Sequence, residues 1–411
     1  MSSTAGFGNI LAALRQRNYR IFMLGNVGNH MGMWTLRMTA GWLAWELTKS
    51  ATWLGLVGFA DLAPIMIVGP LSGALVDRVD RLTILRLSQI VIALLTILIF
   101  LLVQFELMTV ELLFGLLLLA GVFLSISQPA RTSLIPGLVQ PQSLLAAISF
   151  NALVSNGGRL VGPMVGGIII VQWGIGAAFA FCAASFVYFA ATLWAVHSRP
   201  VDYKDKQKTG IMADVVEGAT YAARHPGLGP LMMAMTVTAL VGRSFSTLFP
   251  GFAAAIFDRG ADALAMLTAT LGAGALIGGV YLARRGGVVG LTRVFVINIA
   301  VLGFGLIAFA ATDIYPLAIV IVAGMGSCLL INSTAAQTLM QHAVDEDKRG
   351  RISGLYGFIQ RGGQSIGALV LGISGDLIGL RETVIAAGIL CLCFWLWSLR
   401  RSHTMAMALE G

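Results

Sequence analysis

The feature that most constrains this chain is a succession of apolar runs, each long enough to cross a bilayer, separated by short loops of two opposite kinds. A helix needs about 20 mainly apolar residues to span the hydrocarbon core. Such runs fall near 19–46, 52–76, 82–104, 111–130, 147–172 and 176–196, and again near 229–254, 262–284, 291–311, 315–340, 352–376 and 382–399. Twenty of the 27 Lys and Arg residues lie on one side of this alternation. They are Arg15, Arg17, Arg20, Arg78, Arg81, Arg86, Arg131, Arg199, Lys204, Lys206, Lys208, Arg224, Arg284, Arg285, Arg293, Lys348, Arg349, Arg351, Arg400 and Arg401. The other side holds Lys49, Arg259 and Arg381. Cytoplasmic loops carry the excess of cations, so both termini and the basic loops are expected in the cytoplasm. Arg37, Arg159, Arg243 and Arg361 are left inside the apolar runs, where a charge is costly and marks a working site.

Composition agrees: 57% of the residues are hydrophobic and 11% charged, with a mean hydropathy of +0.85. A soluble domain needs more polar surface than that. The net charge of +8 is accounted for by basic loops against an anionic leaflet, so no nucleic-acid partner is expected. The polar, Arg-bearing start precedes a run too long for a signal-peptide core, so the first span is expected to stay in the protein. Cys182, Cys328, Cys391 and Cys393 lie in apolar runs and are expected to be buried small hydrophobes. The expected fold is all-α, a polytopic membrane protein of twelve transmembrane helices in two pseudo-symmetric six-helix bundles. The bundles are 1–196 and 229–411, joined by a cytoplasmic linker, 197–228, that carries an amphipathic helix at about 214–225.

The halves repeat faintly. An offset of 206 places Arg37 on Arg243 and Gly73 on Gly279, and an offset of 205 places Gly157, Gly158 and Gly162 on Gly362, Gly363 and Gly367. Parallel repeats of this kind put a substrate site at their interface, near mid-membrane.

Asp61 is the carboxylate deepest in an apolar run, since Glu46 and Glu111 sit at span ends. With Lys49 at the turn, Arg37 lies twelve residues before it and Asp61 twelve after, both roughly 15 to 18 Å from the turn. A carboxylate poised between desolvation and a neighbouring guanidinium can take up and release a proton. Asp61, Arg37 and Glu46 are therefore the proton-coupling candidates. Buried cations outnumber the buried acid, which favours anionic guests. Asn26, Asn29, His30, Trp34, Arg37, Arg243, Asn332, Gln337, Gln360 and Arg361 are the candidate cavity residues, with Met38 and Phe245 as apolar contacts.

Two motifs carry a resemblance. Gly73-Ala74-Leu75-Val76-Asp77-Arg78-Val79-Asp80-Arg81 resembles the loop signature of the major facilitator superfamily between its second and third helices. The resemblance implies a cytoplasmic gate of Gly73, Asp77, Arg78 and Arg81 with Arg131 as partner; Asp80 and Leu82 depart from the pattern. Gly158-Arg159-Leu160-Val161-Gly162-Pro163-Met164-Val165-Gly166-Gly167 resembles the signature of the superfamily's exporting antiporters, in which Pro163 bends the helix. Other stretches, among them Gly41-Trp42-Leu43-Ala44-Trp45-Glu46 and Lys348-Arg349-Gly350-Arg351, resemble its drug and siderophore exporter branch.

That resemblance implies a monomer in a bacterial cytoplasmic (inner) membrane that exports an amphipathic, anionic small molecule in exchange for protons. The rival is a lysophospholipid or lipid flippase of the same superfamily. No phosphate loop or metal-ligand cluster is visible, so neither cofactor nor metal is expected. Gly363-Gln364-Ser365-Ile366-Gly367 spells a hydrolase nucleophile pattern but lies in an apolar helix with no strand before it, which argues against an enzyme.

Overall fold

The computed structural model describes residues 10–76, 80–197, 211–345 and 348–411, and these are helical almost throughout. In chain order the helices are α1 Arg17–Thr48, α2 Ala51–Val76, α3 Arg81–Gln104, α4 Val110–Leu138, α5 Leu144–Trp194 and the linker helix α6 Ile211–Arg224. Then come α7 Leu228–Ile256, α8 Ala261–Arg285, α9 Leu291–Ala311, α10 Tyr315–Ala343, α11 Arg349–Ile378 and α12 Leu380–Leu409. Among the described residues, nine helical stretches are long and apolar enough to cross a membrane. Helices α1 and α11 fall outside that set because they are more polar, α1 through Asn26, Asn29, His30 and Arg37, and α11 through Tyr356, Gln360, Arg361 and Gln364.

The stretch Pro141–Trp194 runs for 54 residues, about 80 Å of helix and far more than one crossing needs. Gly174, with φ 84°, breaks it between the two runs read from the sequence. Pro163 keeps helical dihedrals, so the departure from helix comes at the glycine and not at the proline.

Helix α3 shows how the sequence writes a bilayer face. Leu87, Leu94, Leu98 and Leu101 recur at helical spacing and are exposed, while Leu85, Ser88, Gln89, Ile92 and Ile99 face inward. An exposed leucine stripe of that length is a liability in water and the ordinary contact surface in lipid.

The chain divides into two compact units, one of residues 1–43 and 64–206, the other of 44–63 and 207–411. In the first, Tyr19, Phe22, Leu85, Leu134, Phe189 and Leu193 share a buried core. The Tyr19 hydroxyl donates to the Ala147 carbonyl at 2.9 Å. Arg86 closes the end of α5 by donating to the Leu193 and Val196 carbonyls, stacked 5.0 Å from the Trp194 ring.

In the second unit, Leu231, Met235, Phe295, Ile299, Leu339 and Met405 form the core. Phe309 is ringed by Phe245, Phe249, Phe252 and Phe257 at centroid distances of 4.7 to 6.2 Å. Residues 44–63 join this unit through Asp376 at the end of α11. Its carboxylate accepts from the Ser50 hydroxyl, the Ala51 N–H at 2.6 Å and the Thr52 N–H at 3.0 Å, capping the start of α2. At the far end of the unit Glu410 caps α9, accepting from the N–H groups of Gly290 and of Thr292, the latter at 2.7 Å. Burial works against its charge, but the donors of Thr292 and Gly290, with Arg285 nearby, outweigh that and hold it below the usual carboxylate range.

Three of the four cysteines are buried as expected, but Cys393 is exposed. Cys391 and Cys393 are two residues apart on a helix and so point to different faces.

Candidate polar site on the glycine-packed helices

Gly158, Gly162 and Gly166 recur every fourth residue and therefore line one face of α5. That face meets α1. A Cβ at Gly158 would come within 2.9 Å of the His30 Cβ, one at Gly162 within 2.8 Å of the Trp34 Cβ, and one at Gly166 within 2.9 Å of the Thr35 methyl. Thr35 donates across the crossing to the Gly162 carbonyl at 2.8 Å. The glycines let the two backbones approach so closely that side chains rooted beside them converge. Arg159, next to Gly158, and Arg37, three residues beyond Trp34, both stand over the Trp34 ring, at 5.3 and 4.8 Å from its centroid. Each guanidinium lies within the range of an attractive cation–π contact.

Asn26, His30, Trp34 and Arg37 are spaced by four, four and three residues, so α1 presents them as one stripe. Asn26 donates to the Asn151 side-chain carbonyl at 2.9 Å. His30 is 3% exposed, Asn29 is also buried, and the His30 Nδ1 has no hydrogen-bond partner among the described residues. Arg131 and Arg37 are close enough to His30 to act on its charge. Arg131, buried in α4, donates to the Gln128 side-chain carbonyl at 2.5 Å. Three guanidinium groups thus gather on one polar face of the first unit, in a setting where charge is expensive.

The second unit repeats the crossing. Gly363 packs against the Ala239 methyl, where an added Cβ would fall 2.8 Å away, and Gly367 against the Leu240 carbonyl and Ser244. Ser244 donates to the Gln364 carbonyl at 2.9 Å. The sequence offset that paired Gly158 and Gly162 with Gly363 and Gly367 therefore pairs equivalent packing surfaces. Arg243, the counterpart of Arg37, closes a π-helical turn over Thr238–Arg243, a local widening that often accompanies a working site. It interacts electrostatically with Tyr356, whose hydroxyl is bonded by Gln360 and donates to the Ser333 carbonyl at 2.9 Å. Asn332 is buried, and its side-chain nitrogen and oxygen have no hydrogen-bond partner among the described residues. Gln337 and Arg361 are exposed.

Tyr356 and Asn151 were not among the residues read from the sequence. The 205-residue offset that matched the glycines also matches these two, so the signal was present in the repeat.

The remaining expected residues are placed as follows. Gly73 lies in α2, while Asp77 and Arg78 fall outside the described residues. Asp80, the departure from the family loop, caps α3 by accepting from the Thr83 N–H and hydroxyl, both at 2.9 Å. Arg81 opens α3 and donates to the Ser133 carbonyl at 3.5 Å. Lys49, with φ 51°, forms the turn between α1 and α2. Arg37 belongs to the first unit, and Asp61, half-buried, and Glu46, exposed, belong to the second. Pro163 and Gly167 are buried on α5 with the glycine stripe.

A nearly all-helical fold with helices long and apolar enough to cross a membrane is that of a polytopic membrane protein. The family model described as transmembrane secretion effector matches residues 8–407, and the chain belongs to that family of transporters. It is similar to the staphyloferrin A transporter of Staphylococcus aureus (strain NCTC 8325 / PS 47), 23% identical over 88% of this chain and 91% of that protein. It is likewise similar to macrolide efflux protein A of Streptococcus pyogenes, 22% identical over 85% of this chain and 87% of that protein. Among solved structures, a mutant of the nucleoside transporter NupG superposes with a TM-score of 0.75 at 12% identity, over 93% of this chain and 99% of that one. At that identity the likeness speaks to the fold alone.

Proposed function

We propose that this protein exports an amphipathic, anionic small molecule across the bacterial cytoplasmic membrane in exchange for protons. Twelve spans in two six-helix bundles, with both termini in the cytoplasm, form the working frame. The observation that carries the reading is the Trp34 ring with the guanidinium groups of Arg37 and Arg159 against it, on a helix face shared with Asn26 and His30. Such a face offers an apolar surface and fixed positive charge together, which is what an amphipathic anion matches. Relatives named for staphyloferrin A transport and for macrolide efflux support the reading of a small-molecule efflux transporter. Asp61, the carboxylate deepest in an apolar run, is the coupling candidate, because a carboxylate inside a membrane span is a place where a proton can be carried.

Purified protein screened by thermal shift against carboxylate siderophores, macrolides and lysophospholipids tests the guest class. Anionic amphipaths are expected to stabilise the protein. Trp34→Leu is expected to weaken the tightest of them about tenfold, because it removes the aromatic surface that both guanidinium groups flank. Stabilisation by cationic or neutral compounds alone, or an unchanged affinity in Trp34→Leu, would remove this face from the site.

A further inference from the structure

His225 stands in the joint between the linker helix α6 and the membrane helix α7. The next residue, Pro226, has no N–H to donate. The first donors entering α7 are therefore those of Gly227 and Leu228, and both donate to Nδ1 of His225 at 3.2 Å. The backbone N–H of His225 donates to the Tyr221 carbonyl at 3.1 Å and ends α6. One residue thus finishes one helix with its backbone and begins the next with its ring. A ring nitrogen that accepts two N–H bonds must be unprotonated, and a proton there turns the acceptor into a donor facing two donors.

We propose that His225 is a proton-released clasp between α6 and α7, closed while the imidazole is neutral and opened when Nδ1 is protonated. This goes beyond the export reading and does not depend on which molecule is carried.

The surroundings of the ring set its direction of response. On α6 the Tyr221 ring lies 6.2 Å away and Arg224 is the adjacent, exposed residue. After α10 stands Asp345, which accepts a long hydrogen bond from the Tyr221 hydroxyl at 3.5 Å. Before α11 stands Lys348, 3.8 Å from Asp345 and 4.6 Å from the centre of the Tyr221 ring. From α12, Ala408 and Leu409 pack on Gly227, while Glu410 is engaged at the start of α9. Burial disfavours the imidazolium and outweighs the opposing field of Asp345, so His225 titrates below its ordinary value of 6.5. A depressed histidine contributes stability above that ordinary value and loses it as the pH falls beneath it. Acidification on the linker side therefore loosens the joint, and with it the hold of α6 on the helix that carries Arg243.

Hydrogen exchange on the full-length protein in lipid nanodiscs, at pH 7.5, at pH 5.5 and at steps between and below them, corrected for intrinsic rates, reads the clasp directly. The Gly227 and Leu228 amides of wild type are expected to lose about tenfold protection at the lower pH, a cap-sized loss. His225→Asn keeps a side-chain acceptor that does not titrate and is expected to hold its protection at both values. Asp345→Asn removes the field favouring the imidazolium and is expected to move the loss to lower pH. Equal wild-type protection at the two values, an undiminished pH response in His225→Asn, or an unmoved midpoint in Asp345→Asn would each overturn the proposal.

Discussion

Single residues in this protein do two kinds of work, and their neighbours tell them apart. Trp34 was legible as a cavity residue only as an aromatic beside polar positions. Its two guanidinium partners emerge once Gly158 and Gly162 bring α5 against α1. Asp80 read as a departure from the loop signature and is an N-cap, a role that its place three residues before Thr83 already allowed. Glu410 gave no sequence signal, because a cap supplied from 118 residues away has no local pattern. Glu410→Gln is expected to lower stability at neutral pH by about 1 kcal/mol, a cap-sized effect trimmed by partial solvent screening. Its carboxylate is held below the ordinary 4.5, so the stabilisation is present above that value and fades as the pH falls through the lowered one. Thermal melts of wild type and Glu410→Gln should therefore converge toward acid, and a constant gap would assign the loss to packing.

At the scale of the helix, hydropathy located the apolar elements and missed the reasons for their breaks. The run at about 147–172 and its successor were separable in the sequence, but Gly174 as the break, with Pro163 left helical, follows from backbone geometry. The π-turn at Thr238–Arg243 has no composition signature at all. The glycine spacing was the strongest element-level clue: the offset of 205 matched Gly158 and Gly162 to Gly363 and Gly367 before their shared packing role was visible. Side-chain volume at these points has nowhere to go. Gly162→Val is expected to force α1 and α5 apart, costing about 1 to 3 kcal/mol as overpacking does, and to abolish binding with the lost alignment of Arg159 and Trp34. Gly157→Ala, at a position with open space around it, is the control that should leave both melting temperature and binding unchanged. Loss of binding in both variants would mean that the stripe acts through something other than the close crossing.

For the whole molecule, the distribution of 23 of the 27 cations over the two sides of the spans carried most of what could be inferred, because membrane insertion leaves a record in charge. The family model over residues 8–407 places that record in a family of transporters. What the linear pattern could not express is the grouping of 44–63 with the second unit, where Asp376 caps α2 and Gly55 packs on Ala368 and Gly372. Nor could it join α6 to α7 through a histidine ring. The central claim is proton-driven export, with Asp61 carrying the coupling proton. Its most direct test is accumulation of the tightest thermal-shift hit in inside-out vesicles with an acid interior, for wild type, Asp61→Asn, and Asp61→Asn combined with Arg37→Gln. Wild type is expected to accumulate the compound and to lose accumulation when the pH gradient is collapsed. Asp61→Asn should bind without accumulating, because an amide keeps the shape and cannot titrate. Wild-type accumulation indifferent to the gradient, or gradient-driven accumulation restored in the double variant, would contradict the account.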